Sequence, residues 1–557
     1  MSKTRASPNI GPWRGMAQKS RESYSAVMTS WTIADPELDQ TATYAVDPAR
    51  ARQLARRVVA SPNAQTFTRH SPMTGAPLAE LPLSTPADVT VAVEQARAAQ
   101  KAWARTDIRV RQEILLRLHD LVLDAQVELL DLVQLEAGKA RWHAFEEVLD
   151  VALCSRHYGR SSAGYLAPQR RAGALPVITQ TVESRRPKGV VGVVSPWNYP
   201  LSLAITDALP ALMAGNAVVL RPDMQGSLCA LAGLELLDRA GLPDGVLQVV
   251  LGEGSDVGQA VVDQTDYVCY TGSTPTGRRV AESVAKRLVG YSLELGGKNS
   301  LYVAEDADLA KTVDGAVRCS FASAGQLCIS AERIIVHVKV AEEFTARFVA
   351  AVDALKVGTE LAFGTDVGSL VSQSQLDRVT AHVEDARAKG ARVLSGGRHR
   401  PDLGPFVFEP TVLEGVTPDM ACRNEETFGP VVSIYRVGSD EEAIALANDT
   451  EYGLNASVWT RSVSRGRDIA SRIRTGTVNI NEAYGATWAS MGAPMGGMKN
   501  SGIGRRHGAE GILKYTEAQT VSAQYLMPVI PTLGLAPDKA AKALTTGLRV
   551  LKALGAK

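Results

Sequence analysis

Four short β-branched runs, each followed by a stretch of helical length, constrain this chain more than any other feature. They lie at 189–195 (Gly-Val-Val-Gly-Val-Val-Ser), 217–220, 246–251 and 267–270. A strand covered on both faces reads as an unbroken apolar run rather than an alternation. The segments between them, at 201–213, 226–240, 257–262 and 276–288, carry apolar residues at three- and four-residue spacing. Strands alternating with helices imply a parallel, doubly wound α/β sheet. A second alternation runs from 296 to about 481, with strands expected at 333–338 and 431–437 and helices at 341–355 and 372–390. Helices are also expected upstream, at 85–100, 109–137 and 141–158. Thr85 would cap the first of these, with Pro86 at its first turn.

A chain of 557 residues buries a large core without disulfides or metal. Its net charge of +1 argues against nucleic acid as a partner. The six cysteines are scattered, with no CxxC pair, which fits a reducing, cytoplasmic setting. His337, His382 and His399 lack ligand spacing, so no metal is expected. Residues 1–65 read as a mobile extension with a helix near 48–59. Their basic start lacks the apolar core of a secretory signal; an organelle presequence stays open as the alternative to a plain extension.

The reactive chemistry must be found among neighbours. Cys328 follows Gly325-Gln326-Leu327, where glycine would let backbone approach a ligand. A thiolate attacks carbonyls and forms a hydrolysable thioester, although an isolated cysteine is more often a core residue. Glu294 stands in Ser292-Leu-Glu-Leu-Gly-Gly-Lys298, a charge inside an apolar strand. Desolvation there would raise its pKa to suit activation of water. Asn198, in Pro196-Trp-Asn-Tyr-Pro200, ends a strand and is placed to hold an oxyanion. Gly272 and Ser273, in Tyr270-Thr-Gly-Ser-Thr-Pro-Thr-Gly277, open a helix suited to a pyrophosphate. The run Gly252–Gly258 has one residue too many for a dinucleotide fingerprint and reads as a decoy.

Together these segments resemble the aldehyde dehydrogenase superfamily. Its Glu-Leu-Gly-Gly-Lys box is Glu294–Lys298, its Gly-Gln-x-Cys box Gly325–Cys328, its Pro-Trp-Asn box Pro196–Asn198, and its Glu-Glu-x-Phe-Gly-Pro box Glu425–Pro430. Glu294 and Cys328 lie 34 residues apart, a spacing the family shares. The likeness covers about residues 66–524 and is nearest a mycobacterial-type branch labelled succinic semialdehyde dehydrogenase, with Glu136–Trp142 and Ala493–Gly497 among the shared stretches. The resemblance implies two doubly wound domains plus a β arm. A coenzyme-binding Rossmann-like domain would span 66–293, with part of the arm near 165–187. A catalytic domain would span 294–500, and a return to the first domain and the arm 501–524. The implied assembly is a homodimer or homotetramer.

The resemblance also implies roles. Cys328 is the nucleophile, Glu294 the base, and Asn198 with the Cys328 N–H the oxyanion site. Glu426 would hold the nicotinamide ribose with Phe428 behind the ring, and Trp197, Ser273 and Arg221 would contact the rest of the coenzyme. Family members that favour NAD often carry Glu three residues after a Lys; here the pair is Arg221 and Met224. Without that carboxylate, repulsion toward a 2′-phosphate is gone and NADP is favoured over NAD. Succinic semialdehyde enzymes place two arginines where this chain has Thr206 and Ala322. The expected substrate is an aldehyde: succinic semialdehyde with another cation such as Arg318, or an uncharged aliphatic or aromatic aldehyde. A non-catalytic coenzyme-binding relative is the reading from another class, and the retained Cys328, Glu294 and Asn198 oppose it.

Residues 525–557 lie beyond the likeness. Leu544, Leu548 and Leu551 would share one face of a helix that also carries Lys539, Lys542, Arg549 and Lys552, with Asp538 placed to cap it. Such a helix either docks on the enzyme's own surface or makes a weak contact with a membrane surface.

Overall fold

The computed structural model describes residues 44–174, 178–525 and 536–555. Its centre is a six-stranded sheet in the order Gly502–Ile503, Gly290–Glu294, Tyr267–Thr271, Val190–Ser195, Ala217–Pro222, Leu247–Val249. All neighbours are parallel except the first pair. Every residue of Val190–Ser195 is buried, as expected of an apolar run covered on both faces. The chain leaves this central strand to one side, then returns to the other through Tyr267–Thr271. That reversal opens a crevice beyond the strand ends, where ligands bind in sheets of this kind.

A seven-stranded sheet follows in the order Arg392–Ser395, Thr411–Glu414, Val431–Val437, Ala331–His337, Asn299–Val303, Asn455–Trp459, Thr477–Ile480. Only its first pair is antiparallel. A third, antiparallel sheet joins Thr516–Gln524 to Thr179–Pro187 and Gln169–Arg171. It is largely exposed to solvent.

The expected helices form, with two breaks. The stretch expected at 109–137 divides into Ile108–Asp124 and Gln126–Ala137 at Ala125. The first part buries one face, whereas 129–137 are buried throughout, so the chain turns inward between them. The stretch expected at 201–213 divides into Pro200–Thr206 and Ala208–Met213. Pro210 has no N–H and its ring crowds the carbonyl four residues back, which forces the restart. Thr85 and Asp88 form a reciprocal capping box on Pro86–Trp103.

One expectation is corrected. The mobile extension was read as reaching residue 65, but its described part from residue 44 is anchored. Helix Pro48–Ala55 buries Ala51 and Leu54, and Arg50 forks onto Glu128 and Glu235. Residues 1–43 lie outside the described residues.

Buried carboxylates pin the helices that frame the crevice. Glu136 accepts from the N–H groups of Leu228 and Cys229 at 3.0 and 2.7 Å. Glu147 accepts from Leu201 and Ser202 at 2.8 and 3.0 Å and pairs with the buried Lys139 at 2.8 Å. Each stands where a helix N-terminus leaves donors unsatisfied. The Glu136–Trp142 stretch is thus scaffolding.

Removing one partner of a buried pair leaves an uncompensated charge and costs about 3–5 kcal/mol. Glu147→Ala is therefore expected to lower the thermal midpoint by several degrees. The double variant Glu147→Leu/Lys139→Met should recover only part of it, since the Leu201 and Ser202 N–H groups stay without their acceptor. Equal midpoints for wild type and Glu147→Ala in a melting scan would refute this account.

Candidate active site

Three strand ends deliver the crevice residues. Val190–Ser195 leads into Trp197, half-buried, and Asn198, buried. Tyr267–Thr271 leads into Gly272 and the exposed Ser273, which precedes helix Thr274–Ala285. A Cβ on Gly272 would lie 2.3 Å from the Tyr270 hydroxyl and would push that ring aside. The first turn of this helix starts just past a strand end and has no side-chain cap, which leaves N–H groups suited to an anion.

Ala217–Pro222 carries Arg221. Its Nε and Nη2 donate to the Gly252 carbonyl at 3.0 and 2.6 Å, and its Nη1 lies 3.5 Å from Asp223. The decoy run therefore has a place in the site: it folds as a single turn, Gly254–Gly258, against Arg221 and fixes the guanidinium.

The Cys328 loop is unusual in its backbone. Ser323, Ala324 and Gly325 all have positive φ, at 51°, 55° and 71°. Left-handed backbone costs a non-glycine residue on the order of 1–2 kcal/mol, so the surroundings must hold it. Gln326 does so, donating to the carbonyls of Ser323 and Ser369 at 3.3 and 3.4 Å and accepting from Val371 N at 3.0 Å. The expectation that Gly325 makes room for a ligand is corrected. A Cβ there would lie 2.0 Å from the Gly429 carbonyl, so it makes room for another loop's backbone. Asn299 then grips the Cys328 and Ser330 carbonyls, both at 2.8 Å.

Asn198 Nδ2 donates to the Gln326 carbonyl at 3.0 Å, which joins the amide to the cysteine loop and leaves its second N–H unspent. Cys328 is half-buried, and its backbone N–H lies against its own sulfur. Burial pushes the thiol up to about 12; the positive Arg506 opposes this, and Glu294 and Glu426 add to it.

Glu294 ends strand Gly290–Glu294 and is only 6% exposed. Burial raises its carboxyl to about 7 against the pull of Arg506 and Lys514. Its Oε1 is buried with no partner among the described residues. An unpaired buried acceptor in a polar site calls for water or substrate. Glu426 is raised to about 7 by burial and by the neighbouring Glu332, while its Oε1 accepts from Gly297 N at 2.7 Å. A Cβ on Gly296 would meet its other oxygen at 2.3 Å. Phe428 stands at φ 56°, its ring edge-on to Trp197 at 5.4 Å. The geometry thus brings Cys328, Asn198, Glu294, Glu426, Phe428 and Trp197 into one connected group, with Arg221 and Ser273 farther along the crevice.

Two fixtures were not read from the sequence. Glu332 pairs with the buried Lys298 and accepts from Thr427 N and Phe428 N at 2.9 Å each. Arg506 forms a two-pronged pair with the buried Asp207, at 2.9 and 2.7 Å, and donates to Thr271 Oγ1 at 2.5 Å. Thr271 is the register partner of Glu294, so the guanidinium lies one strand from the carboxyl it influences. The two-pronged pair with Asp207 helps to keep the Arg506 guanidinium charged despite burial. The available signal for Arg506 was its place two residues after the glycine-bounded run Ser501-Gly-Ile-Gly504.

Thr206 and Ala322 are buried and uncharged. Arg318 is half-exposed and already paired with Asp314 and Glu482, at 3.3 and 3.2 Å. Close by, Glu146 accepts from the hydroxyls of Tyr199 and Tyr484 at 3.0 and 2.7 Å.

A half-buried thiol, a desolvated carboxyl and a spare amide N–H beside a switch-point crevice fit nucleophilic oxidation of a carbonyl with a dinucleotide. Known proteins agree. Residues 59–521 match the aldehyde dehydrogenase family, and the chain belongs to that family. A Mycobacterium ulcerans protein, provisionally named succinate-semialdehyde dehydrogenase (NADP+) 2, is 51% identical over 88% of this chain and 94% of its own length. The crystal structure of an E. coli NADP dependent enzyme superposes with a TM-score of 0.81 at 33% identity, covering 85% of this chain and 99% of that one. An NAD+ complex of a Bacillus cereus aldehyde dehydrogenase superposes at 0.79 with 34% identity, covering 83% and 93%.

A base that titrates near 7 works only when deprotonated. The hydrolytic rate is therefore expected to climb about tenfold per pH unit below 7 and to level above it. Glu294→Gln should slow steady-state turnover by about 10²–10⁴-fold and flatten that profile, while a single-turnover burst of reduced coenzyme persists. A profile that the substitution leaves in place would assign the base to another group.

Proposed function

We propose that this enzyme oxidises an aldehyde to a carboxylic acid with NADP+, through a thioester on Cys328. The observation that carries this reading is the buried Glu294, raised to about 7 with an unpartnered oxygen, near a half-buried thiol. The Cys328 thiol first releases its proton to solvent water, so Glu294 stays deprotonated for the later step. Cys328 Sγ bonds to the aldehyde carbon, and the second N–H of Asn198 and the backbone N–H of Cys328 hold the oxyanion. When bound, the nicotinamide supplies the acceptor for the hydride leaving that carbon. Glu294 then deprotonates a water, the water oxygen bonds to the acyl carbon, and the carbon–sulfur bond breaks to release acid and thiol.

Glu426 is assigned to the nicotinamide ribose, Phe428 and Trp197 to the walls beside it, and Gly272, Ser273 and Arg221 to the phosphates and adenosine ribose. The buried acceptor on Glu426 and the side-chain-free approach at Gly272 suit such a ligand. We place the coenzyme domain at 66–293 and the catalytic domain at 294–500. Strands within 165–187 and 501–524 form the arm that pairs subunits into a dimer or tetramer. The open, antiparallel character of that arm sheet supports this assignment.

NADP+ is preferred to NAD+ because Arg221 is oriented by Gly252, keeps Nη1 free of a full-strength hydrogen bond, and is followed three residues on by Met224 rather than a glutamate. The names of the 51% identical relative and of the E. coli structure support the same choice. Succinic semialdehyde is the substrate indicated by that relative's name. The uncharged Thr206 and Ala322, and the prior pairing of Arg318, favour a second reading: an aldehyde with no distal carboxylate.

Arg221→Ala should raise KM for NADP+ by about tenfold or more and change that for NAD+ little; matched losses would remove Arg221 from 2′-phosphate recognition. Reduced-coenzyme formation with succinic semialdehyde and with uncharged aldehydes of equal length, using Cys328→Ala as the blank, decides the substrate. Activity in the blank would overturn the thioester reading, and a preference for the uncharged set would overturn the succinic assignment.

A further inference from the structure

We propose that helix Pro537–Ala553 seats its leucine face on an anionic lipid surface and so holds the enzyme against a membrane. This goes beyond the catalytic reading and does not depend on it. At 3.6 residues per turn, the helix sorts its side chains into two arcs. Leu544, Leu548, Leu551, Val550 and Leu554, the residue that follows the helix, fall on one with Ala540, Ala541, Ala543 and Gly547; Lys539, Lys542, Arg549 and Lys552 fall on the other. Each arc covers roughly half the circumference. Asp538 is the helix's only acid.

No residue of the helix is buried. Leu548 is 68% exposed, Val550 51% and Leu554 76%. The described body of the enzyme therefore leaves most of this face open, which favours an outside occupant over docking on the protomer's own surface. An open leucine stripe of this length requires an occupant in water. The charge pattern selects which one. Lys539 and Lys552 fall at the two borders of the apolar arc, where their stems can lie along it while the ammonium groups reach outward. Lys542 and Arg549 hold the centre of the polar arc. Cations flanking an apolar stripe match an interface with anionic headgroups above an acyl layer. The helix does not cross the bilayer: no helix among the described residues is long and apolar enough. The apolar arc has no aromatic residue, so the contact should be weak and salt-sensitive.

The test uses the full chain and vesicles of equal parts phosphatidylglycerol and phosphatidylcholine, with phosphatidylcholine alone as control. The enzyme should sediment with the anionic vesicles at low salt, and about 0.5 M salt should release it. Leu544→Glu/Leu548→Glu and Lys542→Glu/Arg549→Glu should each cut the bound fraction about tenfold or more with turnover of a soluble aldehyde unchanged. Failure of the full chain to sediment, or sedimentation that both double variants retain, overturns the proposal. So does a fall in oligomer mass by light scattering in Leu544→Glu/Leu548→Glu without vesicle binding by the wild type, since a second copy would then be the occupant.

Discussion

The carboxylate of Glu332 holds the site together. It is buried with Lys298 and accepts the N–H groups of Thr427 and Phe428. Three segments far apart in sequence meet on it: the strand exit after Glu294, the turn after Cys328, and the Glu426–Phe428 loop. An isolated buried carboxylate is costly, but here one cation and backbone donors satisfy it, so position rather than net stability is what the pair contributes. If it were removed, Phe428 would lose the bonds that keep it at positive φ. Glu426 would lose its setting against Gly296 and Gly297.

The two acids of the site share a cause and differ in neighbours. Desolvation raises both Glu294 and Glu426 to about 7. Glu294 is restrained by the fixed cation Arg506, whereas Glu426 is lifted further by Glu332. One carboxyl is thus left with an unpaired oxygen for chemistry, and the other spends its Oε1 on a backbone amide. Arg506 acts on Cys328 as well, and Asp207 keeps the guanidinium from turning away. The Arg506 guanidinium, whose own pKa is raised, stays charged and so pulls down both the Glu294 carboxyl and the Cys328 thiol without trading protons.

Much of this was legible in local strings. The apolar runs located the parallel strands, and Cys328, Glu294 and Asn198 stood out because each breaks the texture around it. Single windows could not show the partners. Glu332 reaches Thr427 across 95 residues and Asn198 reaches Gln326 across 128. The interruption at Asp207 was hidden because 201–213 keeps its apolar spacing through the break, and only Pro210 marked the restart. Gly325 was legible as a close approach, but whether ligand or backbone approached depended on where Gly429 came to lie. The Gly252–Gly258 run failed a spacing rule for phosphate and still found a use, because Arg221 needs a carbonyl and not a fingerprint.

The raised thiol has a consequence for the enzyme at rest. Peroxides and alkylating agents react with thiolates, not thiols. A sulfur held near 12 by burial is almost wholly protonated at neutral pH. Burial therefore favours the protonated sulfur in the resting protein, which slows its reaction with electrophiles and oxidants until something lowers that value. Between turnovers the same desolvation that burdens the attack works as a safety catch.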